Sequence, residues 1–90
     1  MTNKKDLKRT INYICSELFA ECVAASLYEG KPDQSDVQSL LSTILKVHSD
    51  YIRRISHPEK GMPAKVFYKD LVTHFNKQVS EIIDQIGNLQ

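Results

Sequence analysis

Apolar residues recur at intervals of three and four in three segments of the chain, the spacing that places side chains on one face of an α-helix. In the first segment these positions are Leu7, Ile11, Ile14, Leu18, Cys22 and Ala25. In the second they are Val37, Leu40, Leu41, Ile44, Leu45, His48, Tyr51, Ile52 and Ile55. In the third they are Tyr68, Leu71, Val72, Phe75, Val79, Ile82, Ile83 and Ile86. No window shows sustained alternation between hairpin turns, so the pattern predicts an all-α fold.

Capping residues mark where the predicted helices begin. Asn3 with Asp6 is a weak relative of the capping box at the start of helix one, and Ser35 with Gln38 is a full match at the start of helix two. Pro63 suits the first helical position of helix three, where its missing N–H is no loss. The helices are therefore expected over about residues 4–29, 36–56 and 64–87.

Two short connectors separate these helices. Gly30 and Pro32 end helix one, and residues 57–63 carry two prolines and a glycine. Short connectors make sequential helices antiparallel. We expect a single domain over residues 1–90, an up-down-up three-helix bundle that dimerisation could complete.

Helix one carries apolar residues outside its main stripe. Phe19, Val23 and Leu27 fall about 90–180° from the stripe centre. Helix one could simply touch both other helices, or the excess apolar surface could be covered by self-association. We predict a homodimer through these three residues, with an amphipathic helix of another protein as the other possible occupant.

Positive charge is modest overall but concentrated in two places. Twelve Lys and Arg against eleven Asp and Glu give a net charge of +1, too little for a long-range field that attracts nucleic acid. A basic patch is expected around the second connector, at Lys46, Arg53, Arg54, Lys60, Lys65 and Lys69. A second basic group opens helix one, at Lys4, Lys5, Lys8 and Arg9. The alternative function is therefore a small regulator that binds nucleic acid through these groups.

Few residues suggest chemistry. His48 lies on the apolar face of helix two and needs a hydrogen-bond partner, for which a backbone carbonyl or a tyrosine hydroxyl is the first expectation. Cys15 and Cys22 are two helical turns apart, about 10.5 Å along the axis, too far for a disulfide. We expect both to be reduced core residues.

Two pairs have the i, i+4 spacing of metal ligands, Asp70 with His74 and Glu17 with Glu21. Carboxylate-bridged sites in helical bundles usually take Glu-x-x-His, which does not occur in this sequence. A metal-dependent bundle enzyme is thus a remote alternative. We predict no catalytic residue, no metal and no cofactor.

Residues 57–61, His-Pro-Glu-Lys-Gly, resemble the His-x-x-Lys-Gly signature of histidine phosphotransfer domains, which are helical bundles. In that family the phosphoacceptor histidine lies within a helix. Here Pro58 ends helix two beside His57. Nothing beyond these five residues matches, so no phosphotransfer role is expected.

The chain shows neither a long apolar run nor an apolar segment behind its N-terminal lysines. We therefore expect a cytoplasmic protein with no membrane contact. The leading prediction is a non-enzymatic helical interaction module that self-associates.

Overall fold

The chain folds into three α-helices, seen in a computed structural model that describes residues 4–27 and 32–89. The helices are α1 (Lys4–Ser26), α2 (Gln34–Ser56) and α3 (Ala64–Gly87), and no strand occurs in the described residues. Each helix contacts the other two, and the bundle extends over 49 × 19 × 16 Å. The predicted all-α three-helix fold is confirmed.

The core consists of two clusters of buried residues arranged along the bundle. The first cluster joins Leu7, Ile11, Cys15, Tyr51, Ile55, Leu71 and Phe75. The second joins Leu18, Cys22, Val37, Leu40, Ile44 and Ile82. Ile14, Val47 and Val79 pack against both clusters, so one continuous core runs through the bundle.

The clusters also give the direction of each helix. The first combines the N-terminal halves of α1 and α3 with the C-terminal half of α2, where Tyr51 meets Phe75 edge to face at a centroid distance of 5.2 Å. The second combines the opposite halves. Consequently α1 and α3 run parallel to each other and antiparallel to α2, which is the predicted up-down-up order.

The start of α2 differs from the prediction. The helix begins at Gln34 and is capped by Asp33, whose Oδ1 accepts hydrogen bonds from Ser35 N at 2.8 Å and Ser35 Oγ at 2.7 Å. The expected start near residue 36, capped by Ser35, is therefore wrong. Asp33 takes the capping role because its carboxylate accepts from the backbone N–H of Ser35, which lies two positions after the cap, where an N-cap side chain finds its donor.

The conformation of the connector between α2 and α3 is explained by its glycine and prolines. Gly61 adopts φ +83°, a conformation that other residues rarely take. Pro63 is the N-cap of α3, with ψ 137°, and Ala64 is the first helical residue. The assignment of Pro63 to the first helical position is therefore wrong by one residue.

Within the described residues, the last helical residue of α1 is Ser26, and Leu27 forms a turn through a 3.0 Å hydrogen bond from its N–H to the Ala24 carbonyl. The predicted end near residue 29, the helix-stopping Gly30 and the predicted cap Asn3 lie outside the described residues.

Candidate interaction surfaces

An apolar groove lies between α1 and α3, on the side of the bundle away from α2. α1 packs most extensively on α2 and least on α3, so the parallel pair leaves an open depression of about 370 Å³. Its apolar lining is Tyr13, Ile14, Leu18, Val79, Ile83 and Ile86. Tyr13 is 67% exposed and Ile83 53% exposed, so two large apolar side chains on this groove remain in water.

Two carboxylates complete the lining. Glu17 and Glu21 lie one helical turn apart on α1 beside the groove, and both are exposed. No ion pair involving either carboxylate occurs within residues 4–27 and 32–89. The groove therefore combines an apolar floor with unneutralised negative charge.

None of the three residues predicted for self-association lines the α1–α3 groove, and Phe19 lies on the flank of α1 that faces α2. Phe19 is half-buried and packs against the second core cluster. Val23 and Leu27 are exposed, Leu27 by 79%. Contact with both neighbouring helices thus accounts for Phe19 but leaves Val23 and Leu27 uncovered, and self-association through them stays a prediction.

His48 pairs across the interface between α1 and α2. Its Nε2 hydrogen-bonds the Oδ1 of Asn12, and the ring is half-buried. The expected partner, a backbone carbonyl or a tyrosine hydroxyl, is therefore wrong. The hydroxyl of Tyr68, which packs against the first core cluster, donates to the Ile55 carbonyl at 3.4 Å.

Both cysteines are free and buried, as predicted. Burial raises the pKa of the Cys15 and Cys22 thiols, because desolvation disfavours the thiolate. A raised pKa lowers the reactive fraction at neutral pH. Neither thiol has the environment of a nucleophile.

The predicted basic patch is exposed throughout: Lys46, Arg53, Arg54, Lys60, Lys65 and Lys69. Two of its members have local partners. Arg53 approaches Asp50 at 3.7 Å, and the Arg54 guanidinium lies 5.0 Å from the centre of the Tyr51 ring. Both also lie in the last turn of α2, where cations favour the helix dipole. Nucleic-acid binding through this patch stays a prediction.

The residues weighed for metal or phosphate chemistry do not form a site. No group of three or more His, Cys, Asp and Glu converges in the part of the chain that the structure describes. The Nδ1 of His74 donates to the Asp70 carbonyl at 2.8 Å, so this ring nitrogen is bound to its own helix. His57 is the C-cap of α2 and exposed, outside the helix interior where a phosphotransfer histidine would lie.

Comparison with known proteins provides no relative. No protein-family model matches the chain, and neither a curated protein nor a solved structure shows significant similarity to it. Within the described residues, no helix combines the length and the apolar character that crossing a bilayer requires. The groove and the exposed residues of the chain itself therefore carry the functional proposal.

Glu17 and Glu21, whose spacing fits metal ligands or a solvated salt-bridging surface, line the groove together with Tyr13, for which the sequence pattern makes no prediction. Ile83 lies on the predicted core-facing stripe of helix three, but the structure leaves it 53% exposed. Tyr13, Glu17 and Glu21 follow one another at intervals of four residues, and this spacing is the sequence signal for the groove face of α1.

Proposed function

We propose that this protein is a non-enzymatic helical interaction module that binds an amphipathic helix of another protein in the α1–α3 groove. The single observation that carries the proposal is the groove itself, an open apolar depression between two parallel helices with Tyr13 and Ile83 exposed. A helix placed there would bury its apolar face as α2 does on the opposite side. The product would be a four-helix arrangement.

The packing of the bundle supports this mode of binding. Residues from both helices contribute to the groove floor, with Ile14 and Leu18 on one side and Val79 and Ile86 on the other. Ile14 and Val79 also pack against the core, so the floor is held by the folded bundle. A preformed groove reduces the ordering cost that a partner must overcome.

The test uses a designed amphipathic peptide of about three heptads with an apolar stripe and glutamine at the flanking positions. We expect saturable binding, measured by fluorescence anisotropy. Ile83→Glu and Tyr13→Glu should each weaken binding at least about tenfold, because a carboxylate would be buried against the apolar stripe.

Val66→Glu is the matched control. Val66 is 49% exposed on α3 and does not line the groove, so its replacement should leave binding unchanged. Circular dichroism of each variant verifies that the helices are intact. Absence of saturable binding to the wild-type protein, or equal weakening by Val66→Glu, would contradict the proposal.

Self-association is a second candidate, favoured by a different observation. Val23 on α1, Leu27 directly after α1 and Leu45 on α2 are exposed apolar residues outside the α1–α3 groove. Phe19 and Leu45 border a depression between α1 and α2 that also includes His48. A second copy could cover this flank while the groove remains available.

A further inference from the structure

We propose that the helix bound in the α1–α3 groove is basic, with lysine or arginine side chains beside its apolar stripe that pair with Glu17 and Glu21. The inference rests on the proposed function and specifies the chemistry of the partner. It begins from the charge of the groove: every lining residue is apolar or aromatic except these two glutamates.

The two glutamates have no cation three or four positions away on their own helix. Residues three and four positions apart on a helix are neighbours, so these are the positions from which a lysine or arginine could neutralise them. For Glu17 and Glu21 the neighbours are Tyr13, Ile14, Leu18, Ala20, Ala24, Ala25 and each other. The negative charge at the groove is therefore open to a partner.

This arrangement also works against the stability of α1. Like charges at i, i+4 repel each other and destabilise a helix. Nothing in the fold of the described residues uses Glu17 or Glu21, since neither takes part in an ion pair or hydrogen bond there. A feature that weakens the isolated helix and borders an apolar groove is typical of a binding surface.

A second copy of this chain that packs the same stretch of groove against this one brings no cation from the part of α3 around Ile83. On α3 the residues beside Ile83 along the groove are Ser80, three positions before it, Gly87, four positions after it, and Asn76, two turns before it. All three are uncharged. Two copies would instead bring four carboxylates to one interface. Charge complementarity thus favours a basic partner over self-pairing at this site.

The spacing of Glu17 and Glu21 along α1 determines how far apart the basic residues of the partner helix must lie. Four residues of helix rise by about 6 Å, so a partner helix alongside α1 matches both glutamates with cations placed i, i+4 or i, i+3. The expected partner segment therefore carries two basic residues one turn apart, next to apolar residues at helical spacing.

Three peptides with one apolar stripe and lysine, glutamine or glutamate at the flanking positions test this inference. At low salt we expect the lysine peptide to bind at least about tenfold more tightly than the glutamate peptide. The difference should shrink strongly in about 1 M salt, where the screening length is about 3 Å. Anisotropy titrations of all three peptides measure it.

The charge-removing variant Glu17→Gln/Glu21→Gln separates charge from folding. It should bind the lysine peptide about 2- to 25-fold more weakly, because each of the two exposed ion pairs is worth a factor of about 1.5 to 5. Its binding of the glutamine peptide should stay within about twofold. Its melting temperature should not fall, because the like-charge pair is gone. Glu81→Gln/Asp84→Gln removes the same charge from α3, away from the groove lining, and should change neither quantity appreciably.

The outcomes distinguish the two proposals. Equal binding of all three peptides, or tighter binding of the glutamate peptide, overturns the basic partner and leaves the helix-binding groove intact. Failure of all three peptides to bind overturns the groove as a helix-binding site. Weakening by the α3 control equal to that by the groove variant would show that net charge alone, and not Glu17 and Glu21, attracts the peptide.

Discussion

His48 illustrates what a sequence can and cannot specify for one residue. Its place on the inner face of α2 could be predicted, because helical spacing relative to Ile44 and Ile52 is a local property. Its partner could not, because the approach of Asn12 depends on how α1 is shifted and rotated against α2. Polar contacts between helices depend on how the helices pack against each other. The residue pattern of a single helix does not contain that information.

Asn12→Ala should destabilise the protein relative to Asn76→Ala. Both changes gain the same helix propensity, and Asn76 is an exposed residue in the middle of α3, so the comparison isolates the bond to His48. We expect a difference of about 1 kcal/mol in the free energy of unfolding, measured by urea titration at neutral pH. This corresponds to a melting temperature about 4–8 °C lower. Equal stability of the two variants would show that the pair contributes nothing.

The buried thiols predict a loss of stability in alkaline solution. Burial raises the pKa of Cys15 and Cys22 in the folded state, so the unfolded chain loses these protons first as the pH rises past about 8.5. Stability from the thiols is complete below that pH and declines as the pH approaches the folded pKa values. The free energy of unfolding should therefore fall between about pH 8 and pH 10.

The variant Cys15→Ala/Cys22→Ala tests this assignment. It should be less stable at pH 7, because buried atoms are removed, but its stability should decline less steeply with pH. The two proteins differ only at these two positions, so the difference in slope reports the thiols. Identical slopes from urea unfolding across the pH series would exclude them as the cause.

At the scale of elements, helix bodies could be predicted and helix ends could not. Period and length identified all three helices, because each buries one continuous stripe in the core. The ends depend on which of several nearby polar residues makes the cap, and Asp33, Ser35 and Asp36 compete within four positions. Leu45 and Ile83 show a related limit, since wide stripes include edge positions that packing leaves exposed.

Asp33 is the cap whose removal should affect α2 most. The hydrogen bonds from Ser35, first its hydroxyl and then its backbone N–H, lower the pKa of this carboxyl. A lowered pKa stabilises the protein above the unfolded value of about 3.9, and this contribution is lost as the pH falls through the folded value. Asp33→Ala should lower the melting temperature by a few degrees at pH 7.

Asp33→Asn is the matched control for the cap. Asparagine caps helices about as well as aspartate, so this variant should keep most of the stability at pH 7. It cannot titrate, so the part of its difference from wild type that depends on the Asp33 charge should shrink as the pH falls through the lowered folded pKa of Asp33. Thermal melts of the three proteins at pH 7 and pH 3 check both statements. Loss of stability in Asp33→Asn as large as in Asp33→Ala would assign the effect to charge rather than to capping.

At the scale of the whole molecule, the proposed function depends on which parts of the wide apolar helix faces are buried in the bundle and which remain exposed. α1 uses its central stripe and part of one flank against α2, and its other flank contributes to the groove with α3. The sequence showed that α1 has more apolar surface than one neighbour needs. It could not show which flank stays open, because that follows from the rotation of α1 in the bundle.

The exposed flank of α1 provides the final prediction, the oligomeric state. If Val23 and Leu27 form a contact between two copies, light scattering should give twice the chain mass, and Val23→Glu or Leu27→Glu should return the mass of one chain. Helicity should stay unchanged, because both residues are exposed in the single chain. Val66→Glu adds the same charge at a similarly exposed apolar residue of α3 and should leave the mass unaltered. A wild-type protein with the mass of one chain at all concentrations would remove the dimer, while the α1–α3 groove, on the opposite flank of α1, would still be available to a basic helix.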